Sequence, residues 1–83
     1  MKGYREGDYV EVDGIPSVIW EIFEVTQINT VTLNLWYEPP NYEPPPGKRF
    51  LFEVLKSGDL VDQDALREPN AMEVLAITHA REG

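Results

Sequence analysis

The sequence predicts an all-β protein, a single small antiparallel barrel of about five strands with one helical turn before the last strand. Two observations support this class. Apolar and polar residues alternate with a period of two in several short runs. These runs are separated by short clusters of Gly, Pro, Asn and Asp, which are typical of turns. The 83 residues are enough for one domain, 1–83, in which residues 1–7 and 80–83 are expected to fray.

The first two strands are predicted as a hairpin. In "GDYVEV" the alternation puts Val10 and Val12 on one face and Tyr9 and Glu11 on the other, as in a half-buried strand. The turn cluster "DGIPS" leads into the run 18–27, whose β-branched and aromatic residues predict a second strand. Because apolar side chains fall on both faces of this run, the strand is covered on both sides or changes faces partway.

The most regular alternation lies in "TVTLNLWY", residues 30–37, and predicts the third strand. The connection "QINT" precedes it, with Asn29 as the expected left-handed turn residue. One face of the strand carries Val31, Leu33, Leu35 and Tyr37, and the other carries Thr30, Thr32, Asn34 and Trp36.

A proline-rich inter-strand loop is predicted at residues 38–48, because five of the nine residues in "EPPNYEPPP" are prolines. Proline cannot donate to a strand ladder, so polyproline II geometry is expected. Three interpretations remain open. The loop is a ligand, since "PPNY" fits the pattern that WW domains bind; it is a plain connector; or it is a stiff arm that packs on its own barrel or on a neighbouring subunit.

Strand character is predicted to resume in "RFLFEVLKS", residues 49–57. The segment 64–67 predicts one helical turn, capped by Asp62 or Asp64. In residues 71–80 the alternation favours a closing fifth strand, although Asn70 followed by Ala, Met and Glu also fits the start of a helix.

More large apolar side chains are present than one barrel interior can hold. The interior is expected to contain Val10, Val12, Val31, Leu33, Leu35, Phe50, Phe52 and Val54. Exposed aromatic residues often mark protein interfaces. The candidate interface therefore comprises Tyr9, Trp20, Trp36, Tyr37, Pro39, Pro40, Tyr42, Pro44, Pro45, Leu51 and Leu55. The alternative is that the C-terminal segment or the proline-rich loop covers these side chains.

The acidic composition argues against a nucleic-acid partner. Fifteen acidic and seven basic residues give a net charge of −8, and residues 1–47 hold eight of the acidic residues but only two of the basic ones. A nucleic-acid-binding protein needs a basic face. The chain lacks cysteine and has no apolar run near the ~20 residues of a membrane span, so a soluble cytoplasmic protein without disulfides is expected.

No arrangement of residues predicts a catalytic, cofactor-binding or metal site. His79 is the only histidine, and the chain has no thiol that could share a metal with it. Asp59, Asp62 and Asp64 lack the spacing of a calcium loop and fit turn and helix caps instead. A non-enzymatic protein without a cofactor is therefore expected.

The predicted order of elements resembles an SH3-like barrel, in which a single helical turn precedes the last strand. "GDYVEV" is similar to the Gly-Asp-x-Val-x-Val opening of KOW-type and related bacterial domains, and "DGIPSVIWEIFEV" resembles their first hairpin. Such domains often contact RNA or ribosomal and transcription partners, which implies a nucleic-acid role for Lys48, Arg49 and Lys56. The hairpin of this chain departs from that pattern because it carries the acidic residues Glu11, Asp13, Glu21 and Glu24.

We therefore expect a small acidic interaction module or accessory subunit, which binds a protein partner or a second copy of itself. Its contacts would be the exposed aromatic residues and the proline-rich arm. Two alternatives stay open: a nucleic-acid-associated accessory domain of KOW type, and an acidic decoy that mimics nucleic acid.

Overall fold

A computed structural model describes residues 3–82, whose strands form a small, nearly closed antiparallel barrel of five strands. In chain order the elements are β1 Tyr9–Val12, β2 Ile15–Gln27, β3 Thr30–Tyr37, α1 Arg49–Lys56, β4 Val61–Asp62, a 3-10 turn Gln63–Ala65, β5 Leu66–Arg67 and α2 Ala71–Glu82. The strands neighbour one another in the order β4-β3-β2-β1-β5. The predicted small antiparallel barrel is confirmed. Of the termini expected to fray, Met1, Lys2 and Gly83 lie outside the described residues.

The predicted hairpins form where the turn chemistry allows them. Val12 pairs with Ile15 across a two-residue turn in which Gly14 has a φ of 87°. Asn29 adopts the left-handed conformation, with a φ of 68°, between β2 and β3. These positive values suit Gly and Asn, whose steric penalty in this region is small. β2 starts three residues earlier than the predicted residue 18.

Strand β2 is covered on both of its faces near its middle. Val18, Trp20 and Ile22 are buried in the barrel core. Ile19 points to the opposite side by strand alternation, yet it is also fully buried. A register shift between Ile22 and Glu24 leaves Phe23 as an extra, exposed residue. Of the two outcomes predicted for this strand, cover on both faces is found at Ile19 and Trp20.

Residues Arg49–Lys56 form helix α1, so the prediction of a strand at 49–57 was wrong. In α1 the buried residues Phe52 and Leu55 lie three positions apart, which places them on one helical face. Phe50, predicted as core, is 81% exposed, and Val54 is only half-buried. The apolar residues of this segment fit periods of 2 and 3.6 equally well. The open side of the barrel core selects the helix because it can bury Phe52 and Leu55 together.

The last strand is Leu66–Arg67, and residues 71–82 form α2, so the favoured fifth strand at 71–80 was also wrong. The amide N–H of Met72 donates to the Asn70 side-chain oxygen at 2.9 Å, which is the alternative helix start expected from the sequence. A helical turn before the last strand is confirmed, with Asp62 as its cap, but it spans Gln63–Ala65 and not 64–67, because Leu66 and Arg67 form the last strand.

A short segment, residues 61–67, joins the two edges of the sheet. β4 pairs with the start of β3, and β5 pairs with the end of β1. The N–H of Gln63 donates to the Asn29 carbonyl at 2.8 Å, and the N–H of Asp13 donates to the Ala65 carbonyl at 2.8 Å. Residues 61–67 therefore contact both hairpin turns as well as both sheet edges.

Candidate functional site

The outer aromatic face lies on the side of the sheet that points away from the barrel core, and consists of Tyr9, Ile19 and Trp36. Tyr9 alternates with the buried Val10, so β1 directs it outward. The rings of Tyr9 and Trp36 stack with their centroids 4.4 Å apart and an angle of 32° between their planes. Trp36 has no register partner on β2, because a shift there pairs its two neighbours with Ile19 and Trp20. This bulge directs the indole toward Tyr9.

The C-terminal end of α2 is attached to the outer aromatic face through Arg81. Its guanidinium carbon lies 4.8 Å from the centroid of the Trp36 ring. Its Nη2 also donates a hydrogen bond of 2.5 Å to the Trp36 carbonyl oxygen. A cation over an indole ring and a charge-assisted hydrogen bond from the same group hold this end of the helix on the sheet.

Helix α2 carries apolar side chains on two sides. Val74, Ile77 and Thr78 are half-buried. The opposite side, the α2 outer stripe, consists of Met72, Leu75, Ala76 and His79, which are all exposed. Met72 is 72% exposed and Leu75 is 50% exposed. Across Ala71–Glu82 no side chain is fully buried, so the barrel covers only part of the apolar surface of this helix.

A cleft opens beside the first turn of α2 and has a volume of about 530 Å³. It is lined by Gly3, Tyr4, Asp8, Tyr9, Glu68, Pro69, Ala71 and Val74. Asp8 is positioned by a tight turn, in which its carboxylate accepts a hydrogen bond of 2.9 Å from the N–H of Arg5. The cleft therefore combines tyrosine rings and aliphatic groups with two carboxylates.

The sheet beside this cleft is crowded with negative charge. Burial raises the pKa of Glu11, repulsion from Glu73 of α2 raises it further, and Arg67 partly offsets the rise. Arg67 also lies 3.7 Å from the Asp13 carboxylate, but this pair is exposed and contributes little to stability. Glu11 and Glu73 therefore repel each other at the N-terminal half of α2, whereas Arg81 attaches the C-terminal half.

The proline-rich loop packs on its own barrel at Tyr42. Tyr42 contacts the core, and its ring meets Phe52 edge to face at 5.6 Å between centroids. Burial raises the pKa of Tyr42, and the charge of Glu38 raises it further. Trp36 is contacted by Tyr9 and Arg81. Of the alternatives left open by the sequence, self-packing is the one that Tyr42 adopts.

The predicted interface residues divide into three groups. Trp20 and Leu55 are core residues, which corrects their assignment to the surface: Trp20 shares a side of β2 with Val18, and Leu55 shares a face of α1 with Phe52. Tyr9 and Pro40 are exposed. The half-buried ones are Trp36, Tyr37, Pro39, Tyr42, Pro44, Pro45 and Leu51.

The α2 outer stripe and the cleft were not predicted. The stripe has a signal in the sequence, because residues 72, 75, 76 and 79 follow the spacing of one helical face. The cleft has no such signal, since its lining comes from three separate segments of the chain. Leu35, expected in the core, is 37% exposed.

No protein-family model, curated protein or solved structure matches this chain. Neither helix within residues 3–82 is long and apolar enough to cross a membrane. In the same range, no group of three or more His, Asp or Glu side chains is placed to hold a metal ion. The fold and the surface geometry are therefore the basis for a functional proposal.

Proposed function

We propose that this protein is a non-enzymatic interaction module that binds a protein partner through α2 and the adjoining outer aromatic face. One observation carries the proposal: α2 is apolar on two sides, but the barrel contacts only one of them. A helix with apolar residues all round is normally buried between other elements. The α2 outer stripe therefore lacks one covering layer, which a partner would supply.

The exposed side chains on α2 are large enough to contribute to affinity. Met72 and Leu75 lie three positions apart, so they project side by side from the helix. Full burial of such a side chain stabilises by about 1.5–3 kcal/mol relative to exposure. Ala76 beside them leaves space for a partner side chain, as in an amphipathic helix that packs into a groove. Tyr9, which is exposed, and the half-buried Trp36 offer further apolar surface on the sheet beside α2.

The net charge of −8 favours a partner with a complementary, basic surface. Charge complementarity raises association rates and excludes acidic partners more than it adds affinity. Pro40 and the other exposed parts of the proline-rich loop offer a second, stiffer contact at low entropic cost.

We also propose that the barrel has an SH3-like topology. The 3-10 turn immediately before β5 and the pairing of β5 with β1 support this assignment. The nucleic-acid alternative would use Lys48, Arg49 and Lys56, which are exposed at the two ends of α1. A mobility-shift titration with RNA and DNA at increasing salt tests this alternative, because binding through phosphates weakens steeply as salt rises.

The decisive experiment compares two surface variants of the full chain. Met72→Lys combined with Leu75→Lys places charge on the α2 outer stripe, and Phe50→Lys is the matched control because Phe50 is 81% exposed on α1. The readouts are affinity capture from the source cell, with the bound proteins quantified by mass spectrometry, and molar mass in solution. We expect the wild type and the Phe50 variant to retain the same partner or self-associated state. In the double variant, the amount of bound partner or of the associated state should fall at least tenfold.

Folding of each variant is checked by circular dichroism and urea unfolding, so that loss of binding is not confused with loss of structure. A monomeric wild type that captures nothing overturns the proposal. Equal binding by the double variant and the wild type also overturns it, because the α2 outer stripe would then play no part.

A further inference from the structure

We propose that the cleft beside the first turn of α2 receives a lysine or arginine side chain of the protein partner. This inference rests on the proposed function, because the cleft adjoins the same helix. It goes further than the proposed function because it names the chemical group that is bound, a cation at the end of an aliphatic side chain.

The walls of the cleft suit such a stem. The rings of Tyr4 and Tyr9 and the side chains of Pro69, Ala71 and Val74 supply apolar surface. Lysine and arginine side chains lay their methylene groups along such surfaces while their charged ends stay near polar atoms. The volume of about 530 Å³ lies within the range of roughly 300–1,000 Å³ that is typical of binding sites.

The charges of the cleft select a cation over an anion. Asp8 and Glu68 line it, and of the described residues that line it none is a lysine or arginine. Glu73 lies in the first turn of α2 next to Val74, which lines the cleft, and adds negative charge there, which Arg67 offsets only in part. A cation in the cleft would be attracted by these charges, whereas an anion would be repelled by them.

Two further contacts favour the same ligand. Tyr9 stacks on Trp36 with one face of its ring and also lines the cleft, where the other face would offer a cation–π contact. The N-terminus of α2 would attract an anion, but Asn70 already occupies part of it: the N–H groups of Met72 and Glu73 approach the Asn70 side-chain oxygen at 2.9 and 3.4 Å. The cleft thus presents two carboxylates beside its tyrosine side chains.

The position of the cleft defines the partner segment. Its lining residues Ala71 and Val74 alternate along α2 with Met72 and Leu75 of the outer stripe. A partner that fills both sites therefore carries a basic residue next to apolar ones, as in an amphipathic basic segment.

A small probe tests the cleft without knowledge of the partner. N-acetyl-arginine amide is titrated into the isotope-labelled full chain and followed by amide chemical shifts, with N-acetyl-citrulline amide as the neutral probe of the same shape. We expect saturable shifts at the cleft residues with millimolar affinity for the arginine probe, and at least tenfold weaker binding of the citrulline probe.

Variants then assign the charge that is responsible. Glu68→Gln should weaken binding of the arginine probe at least fivefold, and Asp8→Asn should also weaken it while still accepting the turn hydrogen bond from Arg5. Glu24→Gln is the matched control on an exposed part of β2, and it should change the affinity less than twofold. Absence of saturable shifts, equal binding of both probes, or equal effects of Glu68→Gln and Glu24→Gln would each overturn the inference.

The two proposals fail in different ways. The Met72→Lys and Leu75→Lys double variant should lose the partner yet still bind the arginine probe. If the wild type binds the probe but captures no partner, the cleft is a guanidinium site and the proposed function is wrong. If a partner is captured equally by wild type and Glu68→Gln, the proposed function stands and the cleft inference is wrong.

Discussion

The two helices of this protein differ in a way that their lengths do not suggest. The eight-residue α1 buries Phe52 and Leu55 almost completely, at 3% and 1% exposure, whereas the twelve-residue α2 buries no side chain fully. α1 faces the interior of the barrel and contributes to its core. α2 lies against the outer side of a sheet whose inner side already packs on that core. What a helix contributes to folding depends on the surface that it meets.

Because of this difference, we expect the two helices to contribute differently to stability. Removing apolar atoms from α1 leaves a cavity in the core, where packing is dense and relaxes only in part. Removing atoms from α2 changes a contact at the surface, where water can occupy the space that is left. We therefore expect α1 to unfold together with the barrel and α2 to open locally at a lower free energy.

The largest expected effect is that of Phe52→Ala. Phe52 contacts Trp20 and Tyr42 edge to face, at 5.9 and 5.6 Å between ring centroids. Its truncation should lower the free energy of unfolding in urea by about 3–5 kcal/mol. The control Phe50→Ala, two residues earlier on the exposed side of α1, should stay within about 0.5 kcal/mol of the wild type. Equal losses for the two variants would contradict the assignment of α1 to the core.

A smaller effect is expected for Ile77→Ala, which removes a half-buried side chain from α2. Because no core cavity forms, the loss in global unfolding free energy should be about 1 kcal/mol or less. Amide hydrogen exchange should show α2 protons exchanging faster than those of β2 and β3, and faster still in the variant. A loss as large as that of Phe52→Ala would show that α2 belongs to the core after all.

The contacts of Arg81 that attach α2 should contribute less to stability than the side chain of Ile77. Arg81→Ala removes the cation over Trp36 and the hydrogen bond to its carbonyl, a local change of about 0.5–1 kcal/mol. Since Trp20 is fully buried, a rise in acrylamide quenching of tryptophan fluorescence would report exposure of Trp36. Arg81→Lys keeps the charge but loses the planar stack on the indole. Its tryptophan fluorescence should therefore be quenched to an extent between those of the wild type and Arg81→Ala. Unchanged quenching in Arg81→Ala would show that Tyr9 alone covers the indole.

The smallest effect concerns Glu11 and depends on pH. The folded state holds the Glu11 proton more tightly than the unfolded state, because its pKa lies above the ordinary value of 4.5. Ionised Glu11 therefore destabilises the fold above the raised pKa, and this penalty disappears as pH falls through it toward 4.5. Glu11→Gln should be more stable than the wild type at pH 7, with a difference that shrinks at acidic pH.

A second variant checks the cause of that pH dependence. Glu73→Gln removes the repulsion on Glu11 but not its burial. The stability of this variant should therefore depend on pH less steeply than that of the wild type, although some dependence should remain. The measurement is urea unfolding of both variants and the wild type across pH. A stability difference for Glu11→Gln that stays constant with pH would contradict the raised pKa.

The sequence predicted the parts of the fold that local patterns determine. β1, β3, the turn at Gly14 and the left-handed Asn29 follow from alternation and from turn residues, and all were found. The prediction failed at α1 because "RFLFEVLK" satisfies two periods, and only the shape of the core decides between them. At α2 the cap at Asn70 predicts a helix and the alternation of residues 71–80 predicts a strand, and the helix forms.

The candidate site was predictable only where a single strand defines it. Tyr9 was correctly placed off the core side because it alternates with the buried Val10, and Trp36 also lies off the core side, although β3 has a bulge there. Trp20 was misplaced because the face of β2 depends on its register with both neighbours and on its bulges. The cleft joins residues more than sixty positions apart, from Tyr4 to Glu68, and no local pattern encodes such a meeting.

The short segment 61–67 has a consequence for the order of folding. The two hairpins of residues 9–37 form between neighbours in the chain, whereas residues 61–67 must return across the proline-rich loop and α1 to reach Asn29 and Asp13. Contacts between distant residues form only after the entropy of closing that long loop is lost. We therefore expect residues 61–67 to close the barrel last, and until then both edges of its sheet are open to pairing with another chain.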